Sequence, residues 1–303
     1  MIMNIIEVLV RYHTQEDCVA HLEAIRWKGK PECPYCRCKQ STKRRGTQRH
    51  QCNSCNKSYS VLVGTIFEAT KLPLPKWFLA ISLILNAKKG LSSLQLSRDV
   101  GINRNTAWYL QMRVRKAMQD DQDRDLFTGI VEVDETYIGG KKANHSKKKR
   151  QLRRDNRLQI TGVQDKQAVI GLLERNGRIR LQAIEKARGK TIRPIIGETV
   201  SKDASLVTDG FGGYAGLHKE YREHQVLNKE KEEYVRGKYH TNTIEGFWTL
   251  LKRGVYGQYH KVSVTHLQAY LNEFTFKSNH RHNKSIFDIL IDKCASTIIN
   301  PVV

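Results

Sequence analysis

The sequence predicts a multidomain α+β protein, and three observations favour this fold class. Near the N-terminus, four of the seven cysteines form two C-x2-C pairs. Between residues 75 and 118 apolar side chains recur at helical spacing, and from residue 129 short segments rich in Val, Ile and Leu predict strands. A chain of 303 residues exceeds one typical domain of about 100–200 residues. We therefore expect three units, at residues 1–65, 66–120 and 129–275, with a linker at 121–128 and a tail at 276–303.

The helices and strands follow from periodicity and from turn residues. Thr14 begins a segment with helical spacing, and a proline opens the apolar segment that stops before Gly90. The dipeptide Asn176-Gly177 predicts a tight hairpin between two strands. We expect helices at 14–27, 75–88, 92–99, 103–118 and 189–200, strands at 130–138, 168–174, 179–184 and 205–208, and further helices from residue 241 onward.

The four paired cysteines have the spacing of a metal-bound ribbon. Fifteen residues separate the pair Cys33 and Cys36 from the pair Cys52 and Cys55. Four thiolates at this spacing are typical of structural zinc, whose binding energy replaces a core that about thirty residues cannot build. Buried free thiols or a redox pair are the alternative. We leave Cys38 out of the ligand set, because a C-x-C step fits the turn between ligands less well.

The segment from residue 91 to 108 has the lengths of a helix-turn-helix, with Gly101 at the turn. On the second helix an apolar face would pack, and a polar face would enter a DNA groove. A helical hairpin with a solvated polar face is the alternative. The predicted DNA-binding residues of this helix are Arg104, Asn105, Gln111 and Arg115, with Trp108 on the same face.

Three carboxylates in the second half of the chain suggest a divalent metal centre. Asp134 and Asp209 are each predicted to close a short β segment, where acids are poor strand formers, and Glu245 lies on a predicted amphipathic helix. Together they would hold two Mg²⁺ or Mn²⁺ ions, which prefer oxygen ligands and promote phosphodiester displacement. Lys252 lies two turns after Glu245 on the same helical face and would hold the DNA backbone. Capping or surface carboxylates are the alternative for each acid taken singly.

The choice of the first ligand leaves an ambiguity. Glu132 shares the strand face of Asp134, and Glu135 is its neighbour in the sequence. We choose Asp134 because it is the acid nearest the end of the predicted strand.

The charge of the chain points to a polyanionic partner. Lys and Arg number 52 against 30 Asp and Glu, a formal charge of +22. Between residues 141 and 157 a basic segment would bind DNA phosphates, although a solvating loop is the alternative. The DNA-binding residues predicted in this segment are Lys147, Lys148, Lys149, Arg150, Arg153 and Arg154.

Neither a membrane partner nor secretion is expected. The longest apolar run, Trp77 to Leu85, is about half of the roughly 20 residues needed to span a bilayer. The first ten residues lack the basic start and cleavage site of a secretory signal. We expect a cytoplasmic protein associated with the nucleoid.

With these motifs the sequence resembles the DDE transposases of bacterial insertion sequences, in particular the ISXO-like group. The resemblance runs from Cys33 to about Asn283 and is most specific in the cysteine ribbon, VDETYIGG at 133–140, TDG at 208–210 with Tyr214, HTNTIEGFW at 240–248 and LLKRG at 250–254.

The resemblance implies an N-terminal zinc ribbon and an α/β ribonuclease H-like catalytic domain with a mixed sheet, beside the helix-turn-helix that the helix lengths predict. It implies that Asp134, Asp209 and Glu245 are the catalytic triad. Because some relatives carry Asn at the third acidic position, Asn242 is an alternative third ligand. It also implies double-stranded DNA as partner, both element ends and target, bound by a homodimer or a larger synaptic assembly.

The sequence therefore predicts a transposase that binds the terminal inverted repeats of its insertion sequence and catalyses metal-dependent DNA strand cleavage and strand transfer. A transposase-derived DNA-binding regulator without catalysis is the main alternative. A ribonuclease H-like nuclease that performs no strand transfer is a third reading.

Overall fold

A computed structural model describes four stretches of the chain. The chain divides into two compact units. The first unit comprises Met1–Gln119 with His280–Val303, and the second comprises Asp120–Asn279. Within the described stretches no helix is both long and apolar enough to cross a membrane. The described residues are 3–119, 125–139, 166–228 and 231–298.

The first unit combines a small three-stranded sheet with helices. Its antiparallel sheet has the order β1-β2-β3, and an Sγ cluster of four cysteines lies beside it. Ring contacts between Trp27 and both His50 and Tyr59 pack the end of one helix against this sheet. The elements are α1 (Ile5–Arg11), α2 (Gln15–Trp27), β1 (Ser41–Lys43), β2 (His50–Cys52), β3 (Ser58–Tyr59), α3 (Leu74–Asn86), α4 (Ser93–Val100) and α5 (Arg104–Ala117).

Local capping residues set the helix boundaries in this unit. Thr14 and Asp17 form a reciprocal capping box at the start of α2. Ser92 accepts a hydrogen bond from Gln95 N and begins α4, which ends at Gly101 with φ of 64°. Asn103 then begins α5. The predicted pair of helices about a glycine turn is present; that it enters a DNA groove stays a prediction.

The C-terminal segment differs from the predicted tail. The expected boundary at residue 275 falls inside the helix Val264–Asn279, and a further helix, Ile286–Ser296, belongs to the first unit. The reason is packing: Phe287 contacts the rings of Tyr12 and Phe78, with ring centroids 6.0 and 6.1 Å apart. Residues distant in sequence thus complete one core, which a reading of local composition misses.

The second unit is built on a five-stranded mixed sheet of order β6-β5-β4-β7-β8. The neighbours β4, β5 and β6 are antiparallel, whereas β7 runs parallel to β4 and β8 runs parallel to β7. The predicted turn at Asn176-Gly177 joins β5 to β6, with Asn176 at φ of 61°. The strands are β4 (Ile130–Gly139), β5 (Lys166–Glu174), β6 (Ile179–Ile184), β7 (Ser205–Asp209) and β8 (Glu223–Leu227), followed by a small hairpin, β9 (Val235–Arg236) with β10 (Tyr239–His240).

Helices cover both faces of this sheet. We number them α6 (Gly189–Thr199), α7 (Asn242–Gly257) and α8 (Val264–Asn279), and the helix Ile286–Ser296 of the first unit is α9. Because side chains alternate along β4, Val131 and Val133 pack in one core with α6. Ile138 and residues of β5 and β6 pack in a second core with α7 and α8. Glu132 and Asp134 face the α7 side.

Candidate active site

Helix α7 lies along strand β4 and runs in the same direction. Three hydrogen bonds join the two elements in the same order along both: Ile244 N to Glu132 Oε2 (3.0 Å), Trp248 Nε1 to Asp134 Oδ2 (2.9 Å), and Tyr256 Oη to the carbonyl oxygen of Gly139 (3.3 Å). The third predicted acid, Glu245, lies between the first two of these contacts. Glu245 therefore lies on the turn of α7 that spans the contacts to Glu132 and Asp134.

A glycine on the neighbouring strand permits this close approach. Gly171 of β5 pairs with Asp134 across the antiparallel ladder. A Cβ at Gly171 would lie 2.6 Å from Cη2 and Cζ2 of Trp248 and 3.0 Å from Cδ1 of Ile244. Only a residue without a side chain leaves room for the indole at this point.

The two aspartates lie at corresponding positions on neighbouring strands. In the parallel pair β4 and β7, Glu132 aligns with Val207. Asp134 and Asp209 each lie two residues further along, on strands that are about 4.8 Å apart in a sheet. Asp209 ends β7 as predicted, but Asp134 lies in the middle of β4, because the strand continues to Gly139 in its pairing with β5. The prediction that Asp134 closes a strand is wrong.

A buried tyrosine binds the acid that follows Asp134, on the opposite face of β4. The hydroxyl of Tyr214 donates to Oε2 of Glu135 over 2.6 Å. Burial, together with the nearby carboxylates of Asp209 and Asp134, raises the pKa of Glu135 to about 7. Three carboxylates are thus close enough to interact electrostatically. Tyr214 had no predicted role, and its place in the motif TDG-x3-Y was the available signal.

The candidate residues on α7 differ in exposure. Glu245 is half-buried and accepts a hydrogen bond from Thr241 Oγ1 over 2.8 Å, while Asn242 is exposed. At about 100° per residue, Glu245 and Lys252 lie within about 60° of Trp248 around the helix, and Asn242 lies about 120° from it. Lys252 is half-buried. Glu245 is consequently the better placed of the two alternative ligands.

The four predicted zinc ligands converge in the first unit. Their Sγ atoms all lie within 4.8 Å of one another, with 3.7 Å between Cys33 and Cys55 and 3.5 Å between Cys36 and Cys52. A tetrahedron with Zn–S bonds of about 2.3 Å requires Sγ separations of about 3.8 Å. The backbone N–H of Cys55, 3.5 Å from Sγ of Cys52, lowers the pKa of that thiol to about 6. The cluster fits structural zinc, which the sequence predicted.

The structure corrects part of the predicted DNA-binding face of α5. Arg104 and Asn105 are exposed, as a DNA contact requires. Gln111 is 2% exposed and hydrogen-bonds to Ser93 Oγ and the carbonyl oxygen of Leu91, so it ties α5 to the segment before it. Arg115 is 1% exposed. The prediction that Gln111 and Arg115 read DNA is wrong, because both lie on the packed side of the helix.

Six predicted DNA-binding residues lie outside the described residues. They are Lys147, Lys148, Lys149, Arg150, Arg153 and Arg154.

Comparison with known proteins identifies two segments of the chain. Residues 127–279 match the ISXO2-like transposase domain, and residues 13–58 match the transposase zinc-ribbon domain. The chain is similar to an uncharacterized protein in transposable element ISH50 of Halobacterium salinarum, with 28% identity over 265 residues that cover 84% of this chain and 88% of the relative. A solved chain in a pre-cleavage Mos1 transpososome shares 11% identity over 73% of this chain and 78% of that chain, with a TM-score of 0.25.

Proposed function

Because the chain belongs to the ISXO2-like transposase family, we propose that it binds the terminal inverted repeats of its insertion sequence and catalyses metal-dependent DNA strand cleavage and strand transfer. The observation that carries this proposal is the position of helix α7 along strand β4. Glu245 lies between the α7 residues that contact Glu132 and Asp134, while Asp209 lies at the corresponding position on the next strand.

In this proposal Asp134, Asp209 and Glu245 hold divalent metal through carboxylate oxygens, the ligands that Mg²⁺ and Mn²⁺ prefer. When bound, two such ions stabilise the attacking and leaving oxygens of an in-line phosphodiester displacement. The chain itself positions the DNA: Lys252, two turns after Glu245, holds a backbone phosphate near the scissile bond. No protein side chain acts as nucleophile.

DNA recognition is assigned to the first unit and to the basic segment that follows β4. Arg104 and Asn105 contact the element ends, and the zinc-bound ribbon adds basic residues that bind phosphates. The six basic residues between 147 and 154 clamp donor or target DNA. Since two ends must be joined to one target, the active form is a homodimer or a larger synaptic assembly, bound to DNA at the nucleoid.

The test is cleavage of DNA that carries the repeats flanking the gene, with Mg²⁺ or Mn²⁺. Wild type should cut at the repeat boundary, Glu245→Gln should not, and Asn242→Ala should retain cleavage. All three should bind the repeats equally. Specific binding without cleavage by wild type would favour the regulator. Cleavage by Glu245→Gln but not by Asn242→Ala would transfer the third ligand position to Asn242.

A further inference from the structure

The fully buried carboxylate of Glu132 meets the N-terminus of α7. Its side chain has no exposed surface, yet it lies in the same strand face as Asp134, two residues away. A buried carboxylate is costly unless hydrogen-bond donors and cations surround it. The donors that surround Glu132 therefore indicate the role of this side chain.

Three donors come from the first turn of α7. Oε2 accepts from the backbone N–H groups of Thr243 (3.1 Å) and Ile244 (3.0 Å), and Oε1 accepts from Thr243 Oγ1 (2.9 Å). The first N–H groups of a helix have no partner inside the helix. The residue that precedes α7, Thr241, makes no side-chain capping bond. Glu132 supplies from β4 the cap that the helix lacks, with a negative charge at the positive end of its dipole.

Two basic side chains complete the surroundings of this carboxylate. Arg175, just after β5, donates from Nη2 to Oε1 of Glu132 over 2.9 Å, and Nδ1 of His240 lies 3.4 Å from the same oxygen. Arg175 also donates to the carbonyl oxygens of Lys238 and His240, the residues that lead into α7. The ion pair between Arg175 and the buried Glu132 therefore binds both the residues that precede α7 and the first turn of the helix.

We propose that Glu132 is a positioning residue for strand cleavage: it caps α7 from β4 and thereby holds the first turn of the helix, which carries Glu245, against the strand. This inference rests on the proposed function of Glu245. It separates two neighbouring acids of the same strand face by role, because the first turn of α7 and Arg175 bind both oxygens of Glu132, whereas the indole N–H of Trp248, further along the helix, donates to Asp134.

The test compares Glu132→Gln with a matched control, Asn279→Ala, in the full chain. Glutamine keeps the length of the side chain but removes its charge and presents an NH₂ group to donors. Asn279 ties α8 to β6 through two hydrogen bonds with the backbone of Ile179, so its loss weakens the same unit without touching α7.

Amide hydrogen exchange, measured without DNA or added metal, tests directly whether Glu132 caps α7. In Glu132→Gln the amides of Thr243 and Ile244 should exchange at least about tenfold faster than in wild type. Asn279→Ala should leave those two amides unchanged. Unchanged exchange in a folded Glu132→Gln protein would overturn the proposal, whether or not the wild type cleaves DNA.

A DNA cleavage assay then measures how loss of the cap affects the candidate active site. In Glu132→Gln the rate at saturating DNA should fall about 10–100-fold and the Mg²⁺ concentration for half-maximal rate should rise, with unchanged DNA affinity. If Glu132→Gln fails to fold, Thr243→Val removes one donor only and should move exchange and metal requirement in the same direction by a smaller factor. Complete loss of cleavage with unchanged exchange would make Glu132 a metal ligand and overturn the proposal; absence of cleavage in wild type would reject the proposed function alone.

Discussion

The indole N–H of Trp248 donates a hydrogen bond to Oδ2 of Asp134 over 2.9 Å, and both side chains are buried. The bond joins the helix that carries Glu245 to the strand that carries the first candidate ligand. Since a hydrogen bond to a charged group is stronger than one between neutral groups, it fixes the orientation of the carboxylate as well as the height of the helix.

Replacing the indole by a ring without a donor should impair the site more than the fold. Trp248→Phe keeps an aromatic ring but leaves Asp134 without this N–H, and we expect a loss of about 1.5–3 kcal/mol in the free energy of unfolding. Strand cleavage should fall about 10–100-fold. Chemical denaturation and a cleavage assay measure the two effects. Phe247→Leu, at the neighbouring buried position, should lower stability while cleavage at saturating DNA stays near wild type; equal cleavage losses in both variants would contradict this role.

Gly171 and Trp248 should show coupled stability effects. A Cβ at Gly171 would lie 2.6 Å from two atoms of the indole, so Gly171→Ala should cost about 1–3 kcal/mol by overpacking. Phenylalanine lacks those two atoms. Gly171→Ala should therefore cost less in a Trp248→Phe background, and denaturation of the four proteins gives the interaction energy. Additive costs would show that the indole is not the group that excludes a side chain at residue 171.

Zinc should be required for the small sheet of the first unit. Cys33→Ser removes one of four ligands, and structural zinc sites contribute most of the folding energy of such modules. Metal analysis should find about one zinc ion per chain in wild type and little in the variant, with loss of the ribbon signals in NMR spectra. Cys38→Ser is the control, because its Sγ contacts only the backbone of Gln40 among the interactions described. Loss of zinc from Cys38→Ser would contradict the ligand set.

Substitutions on the two sides of α5 should have different effects: one should weaken DNA binding and the other should lower stability. Arg104→Ala removes an exposed charge, so we expect weaker DNA binding and a salt slope reduced by about 1, with unchanged stability. Gln111→Ala leaves the buried groups of Ser93 and Leu91 without partners and should cost about 1–3 kcal/mol of stability. Fluorescence anisotropy across a salt series and thermal melts distinguish them. A reversed pattern would return Gln111 to the DNA-binding face.

The buried carboxyl of Glu135 should make stability depend on pH. Its pKa rises from 4.5 to about 7 in the folded chain, chiefly through burial. Between these two values the folded state binds more protons than the unfolded state, so the stability contributed by this group is present below about pH 4.5 and is lost as the pH rises through about 7. The difference in unfolding free energy between wild type and Glu135→Gln, measured without added divalent metal, should fall over this range. A constant difference would show that the pKa is not raised.

Local features were sufficient to predict the elements. The spacing of Cys33, Cys36, Cys52 and Cys55, the turn at Asn176-Gly177 and the cap at Asn103 act within a few residues of themselves, so their structural effects can be derived from the sequence. The matches to the zinc-ribbon and ISXO2-like domains confirm the resemblance that these motifs carry.

Periodicity, by contrast, indicated faces without telling which face is buried. Gln111 and Arg115 share a polar stripe on α5, but the structure buries them. The mid-strand position of Asp134 depends on pairing with residues about thirty positions away, and the place of Ile286–Ser296 depends on the rings of Tyr12 and Phe78.

The sequence by itself therefore determined the side chains from which this chemistry is predicted: four thiolates for zinc, three acids for divalent metal and a large positive charge for DNA. Only the tertiary structure decided how the contacts of the neighbouring acids differ. Glu132 and Asp134 lie on one face of one strand, and local rules treat them alike. They differ because the start of α7 covers Glu132 with backbone N–H donors, while Trp248 contacts Asp134 over Gly171. Contacts between residues about seventy to more than one hundred positions apart set that difference, and no local pattern encodes it.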